Sequence, residues 1–170
     1  GVDDERIFQE VADANIVGLT SIFTDQETMV LRTARCIKDR FPEKLVIAGG
    51  VNARSRRKQF LASGVDVVCL SEADYTIREI VDTARRGRDF SHIRGVAWQG
   101  GENPSLAQDV IRDLDRLPMP AWHLLPLERY WKMARSHGGF ERPLGTEHRY
   151  GSMTTSLGCA FKCTYCHIAG

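Results

Sequence analysis

Near one end of the 170-residue sequence three cysteines fall as Cys159-x-x-x-Cys163-x-x-Cys166. Thiolates are soft ligands, suited to iron–sulfur clusters, and a fully ligated cluster takes four protein ligands. Three in one short loop can hold three irons of a [4Fe–4S] cube and leave the fourth iron open to a small molecule. Three other readings stand beside this one. The loop could be an incomplete site. It could be a Cys3His zinc site completed by His167, although a ligand directly after Cys166 closes a tetrahedron poorly. It could belong to a disulfide framework, which fits a chain of five cysteines without a secretory segment less well. Cys36 and Cys69 sit in apolar patterns and read as buried core thiols.

The neighbours of the loop bear on its use. Ser152 to Ser156 read as a short strand, and Gly158 allows a tight turn where backbone must pass close to a bound group. Tyr165, next to the last cysteine, offers a ring that could lie on a nucleobase. Other candidates are weaker. Arg54, Arg56, Arg57 and Lys58 open a helix and could meet phosphate, but a solvated helix face explains them as well. His123, His137 and His148 have no ligand-like spacing.

These residues must be positioned by a fold, and the composition allows an ordinary one. Hydrophobic residues make up 42% and charged residues 26%, as in globular proteins. A net charge of +1 gives no field that favours nucleic acid or a membrane surface. No apolar run approaches the length of a spanning helix. An oxygen-sensitive open cluster would suit a cytoplasmic setting.

Through the first hundred residues helix and strand alternate. Asp3 to Ala14, Asp25 to Arg40, Ala53 to Ser63 and Ala73 to Arg86 read as helices. In the second, Val30, Ala34, Ile37 and Phe41 recur at helical spacing, and Pro42 stops it. Ile16 to Thr20, Leu45 to Ala48, Val65 to Leu70 and Ile93 to Trp98 read as strands. Continuous apolar strands between amphipathic helices predict a parallel sheet covered on both faces: an α/β, flavodoxin-like, doubly wound fold. Because the pattern opens on a helix, a preceding strand is expected.

Ligands of such sheets bind beyond the carboxyl ends of the strands, near the point where the strand order reverses. Those ends carry Thr20, Ser21 and Ile22, then Gly49, Gly50 and Val51, then Ser71 and Glu72. The glycine pair permits close backbone approach, though such pairs are as often simple turns. Neither a dinucleotide fingerprint nor a P-loop is present. The segment 101–150 reads as a linker with several prolines. Its Trp122, Leu124, Leu125, Tyr130 and Trp131 are too apolar for a free tether and are expected to pack between domains, with Tyr130 or Trp131 as an alternative lining for a substrate cavity.

The stretch from Thr155 to Cys166 closely resembles the cluster loop of radical S-adenosylmethionine (SAM) enzymes. Residues 1–100 followed by this loop resemble cobalamin-dependent members of that family. The likeness runs through Ile16 to Ser21, Val46 to Gly50, Val65 to Asp74, Asp113 to Trp122 and Leu124 to Tyr130. The family's third strand leads into Gly-Glu-Gly-Glu, where this chain has Ser71, Glu72, Ala73 and Asp74. An Asp-x-His-x-x-Gly lower-ligand motif is not found; the nearest string, Asp89 to Gly95, is one residue too long.

The resemblance implies a partial cobalamin-binding domain over 1–100, a linker over 101–150, and over 151–170 the start of a radical SAM (β/α) barrel. On this reading the chain is a fragment, inactive by itself. Cys159, Cys163 and Cys166 would ligate the [4Fe–4S] cluster, Tyr165 would contact SAM, and the strand ends would meet cobalamin. The implied activity cleaves SAM to a 5′-deoxyadenosyl radical and methylates an unactivated carbon of a small-molecule or peptide substrate. Electrons would come from a donor such as flavodoxin or ferredoxin. Ring formation or rearrangement in place of methyl transfer, and a sheet domain serving as a non-cobalamin module, are the alternatives.

Overall fold

In a computed structural model, residues 3–105, 111–132, 149–151, 161 and 163–165 are described. The chain divides into two compact units, Gly1–Leu114 and Asp115–Gly170.

The first unit opens with α1 (Asp4–Val11). Asp3 caps it, its carboxylate accepting from the Arg6 amide at 2.8 Å, with Asp4 and Glu5 complementing the helix dipole. The helix ends before Ala14 because Lys44 takes over the following carbonyls. Its Nζ donates to Ala12 O at 2.8 Å and Ala14 O at 2.7 Å, and lies over the Phe41 ring. β1 (Ile16–Thr20) follows, then a 3-10 turn (Thr24–Gln26) and α2 (Glu27–Arg40), which buries Val30, Leu31, Ala34 and Ile37. β2 (Leu45–Gly49) leads into two short helices, α3 (Val51–Ser55) and α4 (Arg57–Ala62), where the sequence predicts one. The break falls at Arg56, whose side chain bonds Glu27 and Gln59. β3 (Val67–Cys69), α5 (Thr76–Ala84), β4 (Val96–Trp98) and β5 (Gly101–Asn103) complete the unit.

The sheet order is β1-β2-β3-β4-β5. β1, β2 and β3 are parallel, as expected, with Ile16 opposite Leu45 and Ile47 opposite Val67. β4 corrects the all-parallel expectation: it runs antiparallel to β3 and pairs in a hairpin with β5, a strand the apolar pattern does not show. Apolar runs report burial and carry no direction. Here the chain leaves α5 through Gly87 (φ 131°) and Arg88 (φ 64°) and enters β4 from the far end. The Gln99–Gly100 loop then reverses it, as a two-residue hairpin loop does. The result is an α/β unit with a mixed sheet, consistent with a Rossmann- or flavodoxin-like fold. Among the described strands the order shows no reversal, so the expected switch point is not found there.

The two-residue period of the strands sorts the core onto two faces. Val46, Ala48 and Val68 pack with the buried side of α2, Ala53 and Phe60, and Ile7 and Val11 of α1 join them. Leu45, Ile47, Val67 and Cys69 pack with Ile80, Phe90, Ile93 and Val96 on the other face. Cys69 is thus a core thiol, as predicted, and Cys36 is half-buried. Asp66 joins β2 to β3 by accepting from the Val46 amide at 2.7 Å while pairing with Lys38.

The second unit holds 3-10 turns at Leu114–Arg116, which straddles the boundary, and at Trp122–Leu124, and α6 (Leu127–Lys132). Trp131 Nε1 donates to Tyr150 O at 2.8 Å, and the Tyr150 hydroxyl donates back to Tyr130 O at 2.8 Å. Arg149 lies over the Trp131 ring. Leu124, Leu125 and Tyr130 are exposed. The barrel start and its strand over Ser152 to Ser156 lie outside the described residues. No helix among those described is long and apolar enough to cross a membrane.

Candidate ligand site at the strand ends

At the carboxyl ends of β1 and β2 the ladder continues one step beyond the strands, with the Ser21 amide donating to Gly49 O at 2.9 Å. The chain after β2 then turns sharply at Gly50, where φ is 98° and ψ 162°. This region of backbone space is essentially reserved for glycine. A Cβ at Gly50 would also stand 2.4 Å from Ser21 O. The close approach lets Ser21 O accept from the Asn52 amide at 3.1 Å and the Ala53 amide at 3.4 Å. The glycine pair is therefore more than a simple turn: Gly50 is what brings the β2 end against the β1 end.

Side chains extend the contact. Asn52 Nδ2 donates to Ser21 Oγ at 2.9 Å and to Glu27 Oε2 at 3.1 Å. Arg56 Nε pairs with the same Glu27 oxygen at 3.0 Å. Ser21, Glu27 and Asn52 are all buried. Because each buried polar group has a partner, the cluster avoids the cost of burying one unsatisfied. Asn52 and Glu27 were not legible as site residues, although a polar residue two places after a glycine pair was a usable signal; Arg56, considered for phosphate, instead pairs with Glu27.

The remaining predicted positions surround this cluster. Thr20, Ile22, Gly50 and Val51 are exposed, and Gly49 is half-buried. Gly18 and Thr20 share one face of β1, and a Cβ added at Gly18 or Gly49 would meet nothing within 4 Å. Small residues thus leave open space on that face, and Ile22, Phe23 and Val51, which follow the two strands in sequence, expose apolar side chains. At the β3 end, Ser71 is exposed and Glu72 half-buried. Ser71 Oγ accepts from Ser105 Oγ at 2.6 Å, both beside Gly95, which adopts φ 73°. The third strand end is thereby tied to the segment after β5. Ser105 and Gly95 gave no sign of this in the sequence.

Elsewhere two cations of the α3–α4 segment, Arg56 and Arg57, are paired within the protein. Arg57 bonds Glu102, holding that carboxyl below its ordinary range. Arg56 bonds Glu27 and Gln59. Burial pushes the Cys69 thiol up to about 11, so it is protonated at neutral pH.

In the cysteine loop, Cys163 is a free and exposed thiol, and Tyr165 is exposed. Cys159 and Cys166 lie outside the described residues, as do Gly158 and His167. Among the described residues no group of three or more His, Cys, Asp or Glu side chains is placed to hold a metal ion.

No family model matches the chain. Curated relatives do. A cytidylyl-2-hydroxyethylphosphonate methyltransferase of Streptomyces wedmorensis is 25% identical over 98% of this chain and 35% of its own length. An uncharacterized methyltransferase of Pyrococcus horikoshii is 25% identical with the same coverage. A cobalamin-dependent radical SAM methyltransferase, TokK, of Streptomyces tokunonensis is 24% identical over 80% of this chain and 19% of its own length. The chain thus spans about a third of the length of the first two of these proteins.

Proposed function

We propose that this chain works within a cobalamin-dependent radical SAM methyltransferase that transfers a methyl group to an unactivated carbon. The observation that carries the reading is the Cys159, Cys163 and Cys166 spacing, on a chain whose relatives are named methyltransferases, one of them a cobalamin-dependent radical SAM enzyme.

The residues present suit the cofactors. An all-thiolate donor set matches iron–sulfur ligation, and the described member, Cys163, is exposed and free. The open space at Gly18, Thr20 and Gly49 leaves room for a large macrocycle, and the exposed apolar Ile22, Phe23 and Val51 suit packing on the faces of its ring. Cys159, Cys163 and Cys166 would hold the [4Fe–4S] cluster, and Tyr165 would contact SAM. Thr20, Ile22, Gly49, Gly50, Val51, Ser71 and Glu72 would meet cobalamin. Ser21, expected among them, is fully buried, with its side chain on Asn52 and its amide and carbonyl bonded to Gly49, Asn52 and Ala53, so it would shape the site without touching the ligand. When bound, the cluster and SAM supply one-electron cleavage to a 5′-deoxyadenosyl radical and the corrinoid supplies a methyl carrier. The protein's share is to bind, orient and exclude water. A flavodoxin- or ferredoxin-like donor would provide electrons, and the acceptor would be a small molecule or peptide.

The test is SAM cleavage by the full-length protein that carries this sequence, reconstituted anaerobically with iron and sulfide. Reductant-dependent release of methionine and 5′-deoxyadenosine, lost in Cys163→Ala, is the expected result. Turnover unaffected by Cys163→Ala would overturn the assignment.

A further inference from the structure

Buried Ser21, Asn52 and Glu27 and the exposed Arg56 form a polar cluster whose side chains have no part in the chemistry described above. We propose that Asn52 and Glu27 are positioning residues that hold the β1 and β2 strand ends in the arrangement that receives the cofactor. The inference rests on the cobalamin-binding reading of that site.

Three observations carry it. First, the clamp is built at the site. Asn52 immediately follows Val51, and its side chain reaches Ser21, between the exposed Thr20 and Ile22. Second, it is specific in its donors and acceptors. A side-chain amide supplies the hydrogens, and Ser21 Oγ and Glu27 Oε2 both accept from Nδ2, at 2.9 and 3.1 Å. Third, the Glu27 carboxylate is buried, yet its charge is met by Arg56 at 3.0 Å and by the Asn52 amide. A buried carboxylate without these partners would be strongly disfavoured. The same contacts steady Ser21 O, which accepts the Asn52 and Ala53 amides. The clamp therefore fixes where Ile22 and Val51 leave the sheet, without touching the ligand itself.

The experiment compares full-length wild type with Asn52→Asp, Glu27→Ala and Glu27→Gln. Asn52→Asp keeps the volume but replaces the donor with a carboxylate facing Glu27. Glu27→Gln keeps an acceptor oxygen for Asn52; Glu27→Ala does not. Hydroxocobalamin affinity is measured on the folded protein, beside the thermal midpoint without ligand and hydrogen exchange of the Asn52 and Ala53 amides. Asn52→Asp and Glu27→Ala are expected to weaken hydroxocobalamin by about tenfold or more, the scale on which supporting partners act on a bound group. They should also speed exchange at the two amides, with Glu27→Gln close to wild type in both. If Asn52→Asp does not fold, the Glu27 pair decides. Variants that bind as tightly as wild type, with altered midpoints alone, would reduce the cluster to a structural role and overturn the proposal. Wild type that carries a cluster but retains no hydroxocobalamin would overturn it together with the cobalamin reading, whereas failure of the clamp alone leaves wild-type binding intact.

Discussion

Gly50 offers a quantitative test of how the strand ends are held, because three glycines of the first unit separate the terms. At Gly49 an added methyl group meets nothing within 4 Å and φ lies outside the left-handed range. Gly49→Ala should stay within about 0.5 kcal/mol of wild type, or gain slightly from a less flexible unfolded chain. At Gly87 the space is also open, but φ is 131°. Gly87→Ala should cost about 1–2 kcal/mol, the strain of an L-residue held at positive φ. Gly50 combines φ 98° with a Cβ position 2.4 Å from Ser21 O and 2.8 Å from Ser21 C. Both neighbours are backbone, so β1 and β2 must part for the methyl group to fit. Adding about 1–3 kcal/mol for such overpacking to the φ strain gives a total of about 2–5 kcal/mol, centred near 3. Urea unfolding followed by Trp98 fluorescence reads the first unit alone once Trp122 and Trp131 are replaced by Phe, since these are the three tryptophans of the chain. The expected midpoint loss for Gly50→Ala is about 2 M. Equal stabilities for Gly50→Ala and Gly49→Ala would refute the account of the β1–β2 closure.

Other consequences follow from single contacts. Lys44→Met, which keeps the stem but strips the donors from Ala12 O and Ala14 O, should destabilise the first unit by about 2 kcal/mol in the same assay. Arg57→Ala breaks an ion pair whose members are 33% and 45% exposed, and should cost less than about 1 kcal/mol, with the difference shrinking at high salt. Cys69 predicts a pH dependence. Its folded value of about 11 lies above the ordinary 9.0, so its contribution is complete below pH 9 and is lost as pH rises towards 11. The difference in stability between wild type and Cys69→Ala should therefore fall across that window by about 2 kcal/mol. A difference that is flat with pH would contradict burial of the thiol.

The parallel half of the sheet was legible in the sequence because its strands are apolar runs bounded by helical repeats, as in Leu45 to Ala48 and the Val30, Ala34 and Ile37 stripe. The direction of β4 was not, since burial pattern is the same for either orientation. β5 was missed because Gly101-Glu-Asn103 is a polar edge, held by the hairpin rather than by burial. In the site, the glycine pair marked the right turn, while the contact that makes Gly50 necessary lies about thirty residues away at Ser21. Asn52 and Glu27 are ordinary polar residues in the sequence, and only the three-dimensional approach of the β1 and β2 ends joins them.

The central claim is that one polypeptide carries both a three-cysteine cluster and a corrinoid. It is tested most directly by anaerobic absorption spectroscopy of the full-length protein, reconstituted with iron and sulfide, loaded with hydroxocobalamin and passed through gel filtration. The account predicts a broad cluster band together with retained corrin absorbance, the first lost in Cys163→Ala and the second kept. Absence of a cluster band after reconstitution would contradict it, and a cluster band without retained corrin would confine it to radical SAM chemistry with a different role for the sheet unit.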